Sequence, residues 1–204
     1  MQGGLIEMQS LETKPFLLDV HSITLHINHE EFEKLCRDNP DIPMELTANG
    51  ELIVMAPVGL ESGDRELNLG SQLYVWNQAT GLGKAFSSST IFTLPNGSRR
   101  SPDVAWVKLS RWEALTTEER KKFARIAPDF VIELRSETDR LAKLQEKMEE
   151  YRVNGVRLGW LIDPQQQQVA IYRLGRDVEI LQSPTALTGE GVLPGFNLEL
   201  SSIF

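Results

Sequence analysis

Two stretches of the chain place an aspartate directly after a proline and then run into an apolar segment. They are RRSPDVAWV (99–107) and APDFVIELRS (127–136). In the second, Glu133 sits inside the run, among Val131, Ile132 and Leu134, with no clean polar alternation. That pattern is the pattern of a strand covered on both faces. A carboxylate there costs on the order of several kcal/mol unless it is paired or binds a metal. The plainest partner is Arg135, two residues on and on the same strand face. A chemical role needs a second acid, and Asp103 provides one at the head of a neighbouring strand. Alone, an aspartate after proline is a turn former. Together, two carboxylates at the ends of adjacent strands can hold one Mg2+ (or Mn2+), an ion that takes one or two carboxylates plus waters and phosphate oxygens. Such an ion activates water and neutralises charge on a phosphodiester. Asp129 shares the face of Glu133 but lies nearer the strand start, and is read as a turn acid.

A phosphodiester site also wants a side-chain cation. Arg135 can clamp a phosphate with two parallel bonds but cannot act as a general base. On the segment that follows, Lys143 and Lys147 are spaced i, i+4 and share a helix face. Leu141, Leu144, Met148 and Tyr151 line the inner side of that helix, and Lys147 stands at its border, which makes it the candidate catalytic lysine. Arg99 and Arg100 precede Asp103. With Arg135, Arg140, Lys143 and Lys147 they could form a local phosphate strip.

The elements that must position these residues are legible in outline. Asn28 caps a helix with Phe32, Leu35 and Cys36 on one face. Asn49-Gly50 between two short apolar runs marks a hairpin. Residues 58–64 read as a loop, and 65–80 as a helix ended by Gly81 and Gly83. Residues 84–97 read as one strand and 110–127 as helical, capped at Thr116 or Thr117. The run 136–155 reads as an amphipathic helix, with Ser136 as its cap, Asp139 at the box position and Gly155 as its stop. Two further strands follow at 156–164 and 167–175, then an irregular tail with an apolar end. Residues 1–24 read as an N-terminal arm and 25–204 as one mixed α/β domain.

Composition bounds the partners. The 204 residues carry a net charge of −8, which argues against a general nucleic-acid coat or a protein for anionic membrane surfaces. A local basic strip remains compatible with that balance. The lone cysteine, Cys36, excludes an internal disulfide and a cysteine-rich zinc site, and fits a reducing compartment. No apolar run of ~18 residues is present, and the acidic N-terminus is unlike a signal peptide. The expectation is a cytoplasmic protein without a membrane span. His21, His26 and His29 lack the acid or cysteine spacing of a zinc site and are read as surface residues.

The segments MELTANGELIVMAP (44–57), RSPDVAWV (100–107), PDFVIELRSETDRL (128–141), EKMEEYRVNGVRLGWLIDP (146–164), VAIYR (169–173) and LPGF (193–196) occur in an order that resembles the Uma-type restriction-endonuclease family of the PD-(D/E)XK nuclease superfamily. The resemblance implies an α/β fold with a restriction-endonuclease-like core, a central mixed β-sheet flanked by helices. It implies a Mg-dependent DNA endonuclease with Asp103 and Glu133 as metal ligands. The superfamily pattern has a lysine where this chain has Arg135, and a lysine migrated to the following helix fits Lys147. The superfamily often adds an acid from its first core helix; here that is Glu66, with Glu61 and Asp64 in the preceding loop as rivals. It also implies a homodimer. The alternative of a different class is a catalytically inactive binding module on the same fold. A third reading is hydrolysis of a small phosphorylated substrate.

Overall fold

The computed structural model describes residues 24–204. The arm expected over 1–24, and His21 with it, lies outside the described residues but for its last position. A reciprocal capping box between Asn28 and Glu31 starts α1 (His29–Asp38), which buries Phe32. The hairpin follows as β1 (Met44–Leu46) and β2 (Leu52–Val54). Its Gly50 has φ +82°, and a Cβ there would stand 2.9 Å from the Ile27 carbonyl oxygen, so the turn requires glycine. Next come α2 (Leu60–Thr80), β3 (Gly83–Ser87), β4 (Phe92–Thr93), β5 (Arg99–Arg100) and β6 (Val104–Lys108). Two short helices, α3 (Leu109–Glu113) and α4 (Thr117–Arg120), lead to β7 (Phe130–Leu134), α5 (Leu141–Val153) and β8 (Leu158–Asp163). The chain continues through β9 (Gln168–Arg173), β10 (Glu179–Gln182), β11 (Ala186–Thr188) and β12 (Asn197–Glu199).

The central sheet has six strands in the order β10-β9-β8-β7-β6-β3. Only β7 and β8 run parallel, joined by the α5 crossover, so the sheet is mixed as expected. A smaller sheet, β2-β1-β5-β4, stands beside it. The chain passes from one to the other through Ser101, Pro102 and Asp103, between β5 and β6. Strand parity divides the core. Phe130, Ile132, Trp106 and Trp160 face α2 and the apolar C-terminal residues, Phe196 and Leu198 among them. Val131, Ala105 and Leu161 face α5 through Met148 and Tyr151. Glu133 has the parity of Val131 and therefore lies under α5.

Several boundaries differ from the sequence expectation, each for a local reason. Helix α2 begins at Leu60, so Glu61 and Asp64 are helical and not in a loop. Gly63 carries a propensity cost of about 1 kcal/mol that a 21-residue helix absorbs, and Glu61 suits the first turn of a helix dipole. The single strand expected over 84–97 is two, because the chain leaves the large sheet after Ser87 and re-enters the small one at Phe92. Only short helical turns form in 110–127, the second started by a Thr116–Glu119 capping box. Helix α5 starts at Leu141 and not at Ser136. Ser136 N and Oγ both donate to Asp139 Oδ2, closing a separate turn that Gln165 ties to the β8–β9 connection. The tail carries a strand, β10, and a hairpin, β11 with β12, where an irregular path was expected.

Close approach of α5 to the sheet depends on Gly159 in β8. A Cβ there would meet Met148 Cε at 2.6 Å and Val131 Cγ2 at 3.2 Å. Gly159→Val should therefore overpack the layer that positions Lys147, at a cost of about 1–3 kcal/mol. Thermal unfolding should show a fall of several degrees; an unchanged Tm would mean that α5 does not need this contact.

Candidate active site

The ladder between β6 and β7 ends at the Val104–Ile132 pair, where β6 begins and β7 continues to Leu134. One residue further on, the same register sets Asp103 opposite Glu133. Two residues past the pair, Leu134 N donates at 2.6 Å to Asp103 Oδ2, so the carboxylate takes a backbone donor that the ladder no longer serves. Burial pushes the Asp103 carboxyl well above its usual range. The Glu133 charge adds to this, and Glu66 contributes in the same direction. Glu66 and Asp103 line one cleft of about 510 Å3 with Leu67, Tyr74 and Phe86. Of the three acids weighed on this segment, Glu66 is the one turned toward Asp103. Glu61 pairs with Arg65, and Asp64 is exposed.

Glu133 is 2% exposed and its partner is not Arg135. Lys147 Nζ lies 2.9 Å from Oε1 and 3.0 Å from Oε2, and the Tyr151 hydroxyl donates to Oε1 at 2.9 Å. Both partners come from successive turns of α5, whose inner face presents Lys147, Met148 and Tyr151 to the sheet. Burial raises the Glu133 carboxyl above its ordinary value, and Lys147 opposes this only in part.

The same ammonium also lies 2.9 Å from Glu45 Oε1, on β1 of the small sheet. Glu45 accepts a hydrogen bond from Ser101 N at 2.8 Å and pairs with Arg100 Nη1 at 2.9 Å. Arg100 Nε in turn reaches Glu150 at 2.6 Å. Burial pushes the Glu45 carboxyl upward, but Lys147 and Arg100 outweigh it and hold Glu45 below the usual carboxylate range. Burial pushes Lys147 down, and the carboxylates of Glu133, Glu45 and Asp103 outweigh it, so the ammonium is held firmly protonated. Glu45 was missed in the sequence, although it carries the signal that singled out Glu133: an acid between apolar residues, Met44 and Leu46, in a strand.

Arg135 is placed elsewhere. Its Nη1 donates to Asp163 at 2.8 Å and its Nε to the Asp139 carbonyl at 3.4 Å. The six cations do not assemble into one phosphate strip. Lys143 pairs with Glu146 on the surface, Arg140 is exposed at the start of α5, and Arg100 and Lys147 are neutralised within the cluster. Asp129 is a structural acid at the opposite end of β7, accepting from Lys108 N and pairing with Arg111.

The donor set suits a hard divalent cation. Asp103 and Glu133 offer oxygen ligands, Glu133 Oε2 has Lys147 as its one partner among the described residues, and Asp103 is buried beside the Glu133 charge. No group of three or more His, Cys, Asp or Glu poised around one ion occurs among the described residues. Two carboxylates with waters and substrate oxygens are the arrangement that Mg2+ accepts. No helix among the described residues is long and apolar enough to cross a membrane.

A solved structure from Anabaena variabilis, described as a "putative nuclease belonging to DUF820", superposes with a TM-score of 0.74. It is 22% identical and the match covers 87% of this chain and 97% of that one, a likeness that shows the shared fold. Among curated proteins none matches. Residues 29–201 match the Uma2 family, whose description is "Putative restriction endonuclease". That span takes in both carboxylate strands, the α5 lysine and the small sheet, and on it the chain belongs to the Uma2 family.

Proposed function

We propose that the protein is a divalent-metal-dependent DNA endonuclease, with Mg2+ or Mn2+ held by Asp103 and Glu133 and with Glu66 as an accessory acid. The observation that carries this reading is the contact between Lys147 Nζ and Glu133 at 2.9 Å. A lysine from the helix after β7 reaches the strand acid where the neighbouring Arg135 does not. When bound, the ion supplies Lewis-acid activation of water and neutralises phosphate charge. Lys147, held protonated, is unsuited to take a proton. It orients the water or a non-bridging phosphate oxygen by donation and stabilises charge that builds on phosphorus oxygens. Tyr151 fixes Glu133 through its hydroxyl, and Glu45 positions Lys147 while Arg100 and Ser101 N fix Glu45. Arg135 keeps a structural role at Asp163 in this reading. DNA is the substrate that the family description favours.

Plasmid nicking in Mg2+ or Mn2+ tests the site. Wild type should cleave and a chelator should abolish cleavage, while Asp103→Ala and Lys147→Ala should each lose roughly 10²-fold or more. Cleavage that persists in both variants would sink the assignment. Silence of the wild type with every metal would favour the binding-module reading, which the locked Lys147–Glu133 pair makes the natural second choice.

Glu45 is a positioning residue, and its loss should be visible in both stability and rate. Glu45→Gln leaves Arg100 and Lys147 buried with one carboxylate fewer, which should cost about 3 kcal/mol in urea unfolding. The nicking rate should fall roughly tenfold to hundredfold as Lys147 shifts. Wild-type stability together with a wild-type rate would remove Glu45 from the account.

A further inference from the structure

The strand that delivers Arg100 to the cluster carries a second arginine that the cluster does not use. Arg99 points to the opposite face of the small sheet, where Nη2 donates to Glu33 at 2.6 Å. Its guanidinium lies 5.4 Å from the Phe32 ring centre and 5.3 Å from that of Phe123. The side chain is 7% exposed, yet Nε and Nη1 have no hydrogen-bond partner among the described residues. Buried donors without acceptors are disfavoured, and two aromatic faces compensate a guanidinium only in part.

Beside this arginine is a shallow cavity of about 270 Å3 lined by Glu33, Cys36, Arg37, Lys121, Lys122 and Phe123. Glu33 and Phe123, two of the residues that surround Arg99, also line the cavity, so it lies next to the guanidinium's own partners. Thr93 holds the far side in place, donating from N to the Ala124 carbonyl at 3.0 Å and from Oγ1 to the Phe123 carbonyl at 2.9 Å. Arg37 and Lys122 have no ion-pair partner among the described residues, and Lys121 has only exposed Glu118. In a chain of net charge −8 this is a local excess of cations, beside a buried guanidinium that lacks acceptors for two of its donors among the described residues.

We propose that this cavity is a phosphate-binding site. Arg37, Lys121 and Lys122 hold the anion at the rim, and Arg99 donates from the floor once the half-exposed Glu33 swings away. Glu33 then acts as an internal stand-in for the phosphate, keeping Arg99 partly satisfied until the ligand arrives. The phosphate comes either from a nucleic-acid backbone, an assignment that rests on the nuclease reading, or from free phosphate.

The test uses the whole chain in chelator-containing buffer, so that binding is read without cleavage. The probes are inorganic phosphate, read by thermal shift, and a short fluorescein-labelled duplex, read by anisotropy. Wild type is compared with Arg37→Ala/Lys122→Ala and with Glu33→Gln, all at exposed positions. Phosphate should raise the wild-type Tm, raise that of Glu33→Gln further, and leave the double variant unmoved. Duplex affinity should fall roughly tenfold in the double variant, with a log–log salt slope shallower by about one for each backbone phosphate no longer neutralised. Loss of phosphate binding with duplex affinity unchanged would support the site and assign it to free phosphate. If neither probe distinguishes the three proteins, the proposal is overturned, whatever the wild type does in a cleavage assay.

Discussion

A single buried ammonium holds the architecture of the candidate site. Lys147 stands between Glu133 of the large sheet and Glu45 of the small one, with hydrogen bonds or ion pairs of 2.9 to 3.0 Å to both. Taking three charges out of water is costly, and the arrangement persists because each finds opposite charge and each carboxylate has a further donor. Tyr151 serves Glu133, and Ser101 N with Arg100 serves Glu45. The cluster therefore ties α5, β1, β5 and β7 at one point. That point adjoins Asp103, where the chain crosses from the small sheet to the large one. Gly159 supplies the steric condition, since α5 could not lie as close with a side chain there.

Charge is divided across β5 in a way that the overall balance conceals. Arg100 is enclosed by Glu45 and Glu150, so its charge is used to hold the acids of the cluster in place. Arg99, one residue earlier, lies against two aromatic rings on the other face, beside the cations Arg37, Lys121 and Lys122. The side of the small sheet nearest the carboxylates is electrostatically closed, while the far side keeps positive charge available to an anion. An acidic protein can in this way retain a local surface for phosphate.

What the sequence revealed and what it hid follow from the range of each interaction. Asp103 and Glu133 stand out because an acid in or beside a covered strand is anomalous within a few residues. Lys147 stands out because helical spacing puts it at the border of an apolar face. The structure brings these three together. Glu45 carries the same anomaly, but a three-residue strand in a hairpin shows too short a run for its covering to be evident. Arg135 could not be assigned locally, because its partner Asp163 is 28 residues away across a crossover. The opposed faces of Arg99 and Arg100 are set by β5, a strand of two residues with no pattern of its own. Long or strongly capped elements were legible, whereas β10, β11 and β12 are short, the first held by pairing with β9 and the other two by Leu187 and Leu198 in the core.

The most direct test of the central claim is anomalous scattering from crystals of the wild-type protein soaked in Mn2+. The account predicts one peak bridging Asp103 and Glu133, with carboxylate oxygens at about 2.1 Å and the Lys147 ammonium still against Glu133. A peak elsewhere, or none at millimolar Mn2+ in crystals that leave the cleft open, would contradict it.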